Sequence, residues 1–167
     1  MGPQVLVRHA RTSDVALIRD LVDTYSPDGR LLSKATVTLY EDVPEFLVAE
    51  VEGVVVGCGA LHVLWEDLAE VRTLAVLPET RGTGVGSALM QALTERAIDL
   101  GVTRMFCLTF ETEFFRRHGF TEIEETPVST DVYEQLLQSY DEGVAEFLGL
   151  ERVKPNTLGN IRMLRVL

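Results

Sequence analysis

Residues 71–87 read Val-Arg-Thr-Leu-Ala-Val-Leu-Pro-Glu-Thr-Arg-Gly-Thr-Gly-Val-Gly-Ser. An apolar, β-rich run ends at Pro78, glycines follow at 82, 84 and 86, and a long helical pattern starts at once. Glycine lets a backbone approach a ligand closely, and the free amides at a helix start carry the positive end of the helix dipole. A strand, loop and helix joined in this way form an anion site, to which Arg81 adds a cation. The ligand that suits it best is a phosphate or pyrophosphate. No Lys follows the glycines, which excludes a P-loop. A dinucleotide fingerprint would need glycine where Ser87 stands, and it normally lies near the first strand of its unit.

The flanking sequence supplies the rest of an α/β domain. Gln4–His9 reads as a strand, and Thr12, Ser13 or Asp14 caps a helix with Val15, Leu17, Ile18, Leu21 and Val22 at helical spacing. Ser26-Pro27-Asp28-Gly29 ends that helix, and Leu31–Asp42 is weakly patterned as a short second one. Phe46–Val51 and Val54–Val63 form a hairpin about Glu52-Gly53, and Leu68–Leu77 is a further strand. The helix at 84–100 shows an apolar stripe of Val85, Leu89, Ala92, Leu93 and Ile98, with Gly101 as its C-cap. A buried strand at 103–109, a short helix at 112–118 and a strand at 120–123 follow. An amphipathic helix at 130–140 places Val132, Leu136, Leu137 and Tyr140 on one side, and a last strand covers 161–166 after the Asn156–Asn160 loop. With neither repeat nor linker, residues 1–167 read as one domain around a mixed sheet.

Charge narrows the function. The net charge of −11 argues against nucleic-acid partners, which are held through Lys and Arg. Nine acids and no Lys or Arg lie between Thr121 and Glu151, leaving only −2 elsewhere, so the acidity reads as a solvated C-terminal face. No apolar run approaches membrane-span length, and the N-terminus lacks a secretory pattern, which sets the expectation of a cytoplasmic protein without a membrane partner. Cys58 and Cys107 lie in apolar segments and read as reduced core residues; His9, His62 and His118 show no metal spacing and read as packing or surface groups. No metal is expected.

Two motifs together carry a resemblance. Arg81-x-x-Gly84-x-Gly86 after a strand and Pro78, with Phe114-Phe115-Arg116-Arg117-His118-Gly119-Phe120 after the next strand, resembles the GNAT superfamily of N-acetyltransferases over about residues 4–125. It is similar above all to the acetyltransferase domain of N-acetylglutamate synthases, in a short single-domain form. The resemblance implies the GNAT fold, a mixed sheet flanked by helices in which two parallel strands, here 70–76 and 104–109, splay apart. It implies acetyl-CoA as cosubstrate, with pantetheine along Leu74, Ala75 and Val76. The pyrophosphate would lie on Arg81, Gly82, Thr83, Gly84, Val85, Gly86 and Ser87, and Thr109, Phe114 and Phe115 would be nearby. A main-chain amide near Leu74 or Ala75 would polarise the acetyl carbonyl.

The same resemblance assigns a general base to Glu70 and a proton donor to Thr109. Many superfamily members carry a Tyr where this sequence has Phe115, which has no proton to give. Gly29–Lys34 resembles the family segment that meets the substrate carboxylate. Lys34, Arg72, Thr73 and Arg162 are accordingly the candidates for a carboxylate-bearing acceptor, glutamate or glutamine. Arg72 sits in a central strand, where a charge needs a partner, and Glu70 is one. The implied activity is amino-acid N-acetylation, the first step of arginine biosynthesis, by direct attack in a ternary complex; a homodimer is an assembly expected of the family. Two other readings remain open: acetylation of another amine, such as a protein N-terminus or an antibiotic, and a non-catalytic acetyl-CoA-binding regulator.

Overall fold

Turn chemistry and alternation build the first half of the sheet. Glu52 and Gly53, at φ 51° and 80°, make the tight turn that locks β2 (Phe46–Val51) to β3 (Val54–Trp65). β1 (Val5–His9) lines the outer edge of β2, and β4 (Leu68–Val76) returns antiparallel along β3. These elements belong to a computed structural model that describes residues 3–25, 35–150 and 160–167. The expected turn at 26–29, the Gly29–Lys34 segment with Lys34 and most of the Asn156–Asn160 loop lie outside the described residues.

The chain then crosses over through α3 (Val85–Leu100) to β5 (Arg104–Thr109), which runs parallel to β4. A short helix, α4 (Thr112–Arg117), leads to β6 (Thr121–Ile123) at the far edge, and β7 (Ile161–Val166) inserts between β5 and β6. The sheet order is β1-β2-β3-β4-β5-β7-β6, with β4/β5 its parallel pair. That is the mixed, helix-flanked sheet with one parallel pair expected from the sequence.

Three apolar cores hold the layers. On one face, α3 packs Val85, Leu89, Met90, Leu93 and Ala97 onto Ala49, Leu61, Ala69, Val71 and Met105. On the other, α1 (Val15–Tyr25) and α2 (Thr36–Glu41) cover β2 and β3, chiefly through Ile18, Val22 and Leu39. Beside them α5 (Thr130–Leu136) and α6 (Glu142–Leu148) set Leu136, Val144 and Phe147 on Leu68 and Phe106. Burial corrects the expected stripes in two helices: Leu17 and Ile98 are exposed, while Met90 and Ala97 are inside.

The segment from 121 to 151 departs most from expectation. The helix expected at 130–140 stops at Leu136, and Leu137 and Tyr140 are exposed. A separate helix, α6, then buries Val144, Ala145, Phe147 and Leu148. The acidity of this stretch is therefore only partly a solvated face. Its markers were present in the sequence: Asp141 caps α6 by accepting the Val144 amide at 2.9 Å, apolar residues recur three and four apart, and Gly149 closes it in the left-handed region.

Candidate functional site

β4 and β5 pair at three positions only, Leu68 with Arg104, Ala69 with Met105 and Glu70 with Phe106. Beyond Glu70 the two strands separate, and the upper halves of both border a gap. On β4 that gap coincides with an irregularity. Thr73 stands at φ 52°, and the register with β3 slips between Cys58 and Ala60, so Thr73 and Leu74 together oppose Gly59. This is a β-bulge, with the extra residue that re-aims a strand next to a site. It also shifts the side-chain phase: Ala69 and Val71 face α3 before it, Leu74 and Val76 after it. Gly59 fits closely there: a Cβ would lie 3.0 Å from Leu74 and Leu93 side-chain carbons, which would have to give way.

The glycine loop follows. Gly82 and Gly84 stand at φ 80° and 91°, with nothing within 4 Å of a Cβ added at either. The loop surface is thus backbone rather than side chain. The first helical bond runs from the Ala88 amide to the Gly84 carbonyl at 3.0 Å, so the amides of Val85, Gly86 and Ser87 begin α3 without intrahelical acceptors. Arg81 is half exposed and pairs with Glu111 at 3.4 Å. Ser87 Oγ lies 3.2 Å from His118 Nε2, in a ring whose basicity is lowered by burial and by Arg117 and Arg165. Phe114 lies against Gly86, where a Cβ would come within 3.2 Å of its ring. Splayed strands, a bulge and an amide-lined loop fit the pantetheine and pyrophosphate of acetyl-CoA. Tyr25, which no sequence signal singled out, donates its hydroxyl to the Val76 carbonyl at 2.5 Å on the same strand.

Beneath the bulge lies a charged group in the sheet. Glu70 is 2% exposed, and Arg72 Nε donates to its Oε1 at 2.7 Å. Burial raises the Glu70 carboxyl above its usual range, outweighing the opposing pull of Arg72. Glu70 therefore sits in the interior against Arg72, the partner expected from the sequence. Arg72 Nη1 also forms a 2.8 Å ion pair with Asp141 Oδ1, and neither Nη1 nor Nη2, both buried, makes a hydrogen bond among the described residues. Burial works to raise the Asp141 carboxyl, but Arg72, His62 and the Val144 amide outweigh it and hold it low. Sequence reasoning found the first partner of Arg72 and missed Asp141.

The remaining candidates separate. Thr109 is buried at the end of β5, and its Oγ1 accepts the Glu111 amide at 2.8 Å, leaving the hydroxyl proton for another acceptor. Phe115 is a core residue, edge-on to Phe120 at 5.2 Å, so it packs the protein rather than opening to a ligand. Arg162 donates to the Phe147 carbonyl at 2.7 Å and lies 5.7 Å over Phe106, which anchors the end of α6. The same guanidinium also feels the charge of Glu70 on β4. Burial pushes the Cys58 thiol up to about 12 and the Cys107 thiol well above its usual value, which disfavours a thiolate nucleophile at either. Among the described residues no group of three His, Cys, Asp or Glu is placed to hold a metal.

Comparison with known proteins agrees with this geometry. Residues 15–120 match the acetyltransferase (GNAT) family. The chain is 61% identical over 166 residues to the amino-acid acetyltransferase of Mycobacterium tuberculosis, covering 97% of this chain and 94% of that one. It is 34% identical over 125 residues to the amino-acid acetyltransferase of Aeromonas salmonicida, but spans only 28% of that protein. The crystal structure of Rv2747 from M. tuberculosis, a complex with CoA, superposes with a TM-score of 0.94 at 61% identity over 97% of this chain and 99% of that one. N-acetylglutamate synthase from Neisseria gonorrhoeae, complexed with CoA and N-acetyl-glutamate, shares the fold with a TM-score of 0.79 at 24% identity, over 100% of this chain and 36% of that one. By its sequence and its fold, the chain belongs to the GNAT family of acetyltransferases.

Proposed function

We propose that this protein transfers the acetyl group of acetyl-CoA to the α-amino group of an amino acid, L-glutamate or L-glutamine, as the entry to arginine biosynthesis in the cytoplasm. The observation that carries the reading is the bulge at Thr73 and Leu74. It stands in the gap between β4 and β5, above Glu70 and near the level at which Thr109 ends β5.

Acetyl transfer needs a neutral amine, whereas the α-amino group of a free amino acid is almost wholly protonated at neutral pH. Glu70, made more basic by burial, takes the proton directly or through water. The amine then attacks the thioester carbonyl, whose developing negative charge meets a main-chain amide at Leu74 or Ala75; one such donor is worth roughly 3 kcal/mol. The C–S bond breaks, and Thr109 or water protonates the departing thiolate. The buried Nη2 of Arg72 supports Arg72 as a group that receives the acceptor carboxylate. The same step on a different amine would leave the cofactor half of the site unchanged.

The decisive experiment is CoA release from acetyl-CoA with a panel of amino acids, peptides and other amines. Release with glutamate or glutamine is the expected result. Release only with peptides or other amines overturns the acceptor assignment, and tight acetyl-CoA binding without turnover overturns the activity.

A further inference from the structure

The stoichiometry of this reaction leaves one proton without a route. An acceptor enters as an ammonium with three N–H protons and leaves as an amide with one, while the thiolate of CoA takes one. One proton per turnover must therefore reach solvent. If Glu70 collects it, the difficulty is plain, because its side chain is 3% exposed and its neighbour Arg72 is a permanent cation with no capacity to accept.

β3 supplies an outlet. His62 is the direct cross-strand partner of Glu70 in the β3/β4 register, and side chains so placed share a face with Cβ atoms about 4.5–5.5 Å apart. His62 Nδ1 in turn lies 2.5 Å from Oε1 of Glu45, at the end of the single turn Val43–Glu45 that leads into β2. Side-chain exposure rises along this line, from 3% at Glu70 to 20% at His62 and 28% at Glu45. By strand alternation His62 falls between Ala60, in the α1/α2 core, and Leu64, in the α5/α6 core, so the line runs through a polar seam between two apolar clusters. The charged and titratable groups around this seam are Glu45 from the turn before β2, Glu70 and Arg72 from β4, Cys107 from β5, Asp141 from the start of α6 and Arg162 from β7.

We propose that His62 and Glu45 form the path by which the proton collected at Glu70 leaves the buried site. The inference rests on the reading of Glu70 as base. After acetyl transfer the O–H bond of the Glu70 carboxylic acid breaks and an N–H bond forms on the His62 ring, directly or through one water. The imidazolium then loses a proton to the Glu45 carboxylate or to water, and Glu70 and His62 return to their starting charges. Imidazole suits the task because its two ring nitrogens let it accept a proton on one side and give one up on the other. His62 acts through Glu70 and is a positioning and relay residue, not a group that touches the acceptor.

The test uses the full chain, acetyl-CoA and glutamate or glutamine, whichever is turned over. kcat and both KM values are measured against pH and against added imidazole at constant ionic strength, for His62→Gln, Glu45→Gln and Glu70→Gln. For His62→Gln the expected result is a loss of about tenfold or more in kcat near neutral pH, with KM values within about twofold, and recovery on adding imidazole. For Glu45→Gln, a guard against misfolding of the first variant, a smaller loss of about two- to fivefold is expected, with a larger solvent isotope effect on kcat. A His62→Gln enzyme at wild-type kcat throughout the pH range, or a slow one that imidazole does not rescue, overturns the relay. If Glu70→Gln is slow in either case, the base reading survives that failure. A Glu70→Gln enzyme at wild-type kcat overturns both.

Discussion

Gly143 lies against the guanidinium of Arg72: a Cβ at position 143 would overlap Cζ of Arg72 and come within 2.8 Å of its Nε. The first turn of α6 thus rests on the charged group that holds Glu70. Gly143→Ala is expected to displace Arg72 and lower stability by about 1–3 kcal/mol, the usual penalty for overpacking. Thermal or urea unfolding measures this, and kcat should fall further than the loss of folded protein accounts for.

Asp141 shares Arg72 with Glu70 and contributes to raising the Glu70 carboxyl. Asp141→Asn keeps an α6 cap but removes a like charge and leaves Arg72 more fully to Glu70. Both changes make Glu70 more acidic. Since a base works ionised, activity is lost as pH falls through its raised value. The acidic limb of the kcat profile should therefore move to lower pH in the variant, with a stability loss of about 1–3 kcal/mol. An unmoved limb would separate Glu70 from the profile.

Thr109 offers one hydroxyl proton while its oxygen is held by the Glu111 amide. Thr109→Val should lower kcat by about 10- to 100-fold with little change in acceptor KM, and Thr109→Ser should retain most activity. Equal kcat in the valine variant would assign the thiolate proton to water.

Arg81 is half exposed and lies beside Glu111. Arg81→Glu should raise the KM for acetyl-CoA about tenfold, more at low salt, by placing like charge at a phosphate loop. An exposed pair of this kind contributes about 0–1 kcal/mol, so the melting temperature should scarcely change.

Asp14 accepts from both Arg8 Nη atoms, at 2.8 and 3.0 Å, and from the Arg11 amide at 2.7 Å. The Arg8 hydrogen bonds hold its carboxyl below the usual range. Its contribution to stability is therefore complete above the ordinary carboxylate value and is lost as pH falls through the depressed one. Asp14→Asn should cost roughly 2–3 kcal/mol near neutral pH and flatten the acid limb of stability followed by circular dichroism.

Local signals made most of the fold legible. The Glu52-Gly53 turn, the stripe from Val85 to Leu93 and the glycines at 82, 84 and 86 each combine a propensity with a geometric requirement, and each appears where expected. The bulge at Thr73 carries no such mark, because a non-glycine residue at positive φ is imposed by pairing with β3 and by Gly59 across the ladder. Arg72 shows the same division. That it needed a partner follows from the cost of a buried charge, and Glu70 two residues away was visible along the strand. Asp141 was not, since 69 positions of chain separate it from Arg72 and only the tertiary fold brings them together. His62 read as a packing or surface histidine, and only the register sets it opposite Glu70.

With only three rungs joining β4 to β5, the seven strands behave as two panels, β1–β4 and β5–β7, stitched at one end and open at the other. Side chains from α3 on one side and from α5 and α6 on the other clasp the panels together, because the ladder itself does not. An extended molecule lying in the open seam would complete the missing rungs. Its departure would leave those rungs unmade, so occupancy adds to the strength of the seam that the helices alone otherwise hold.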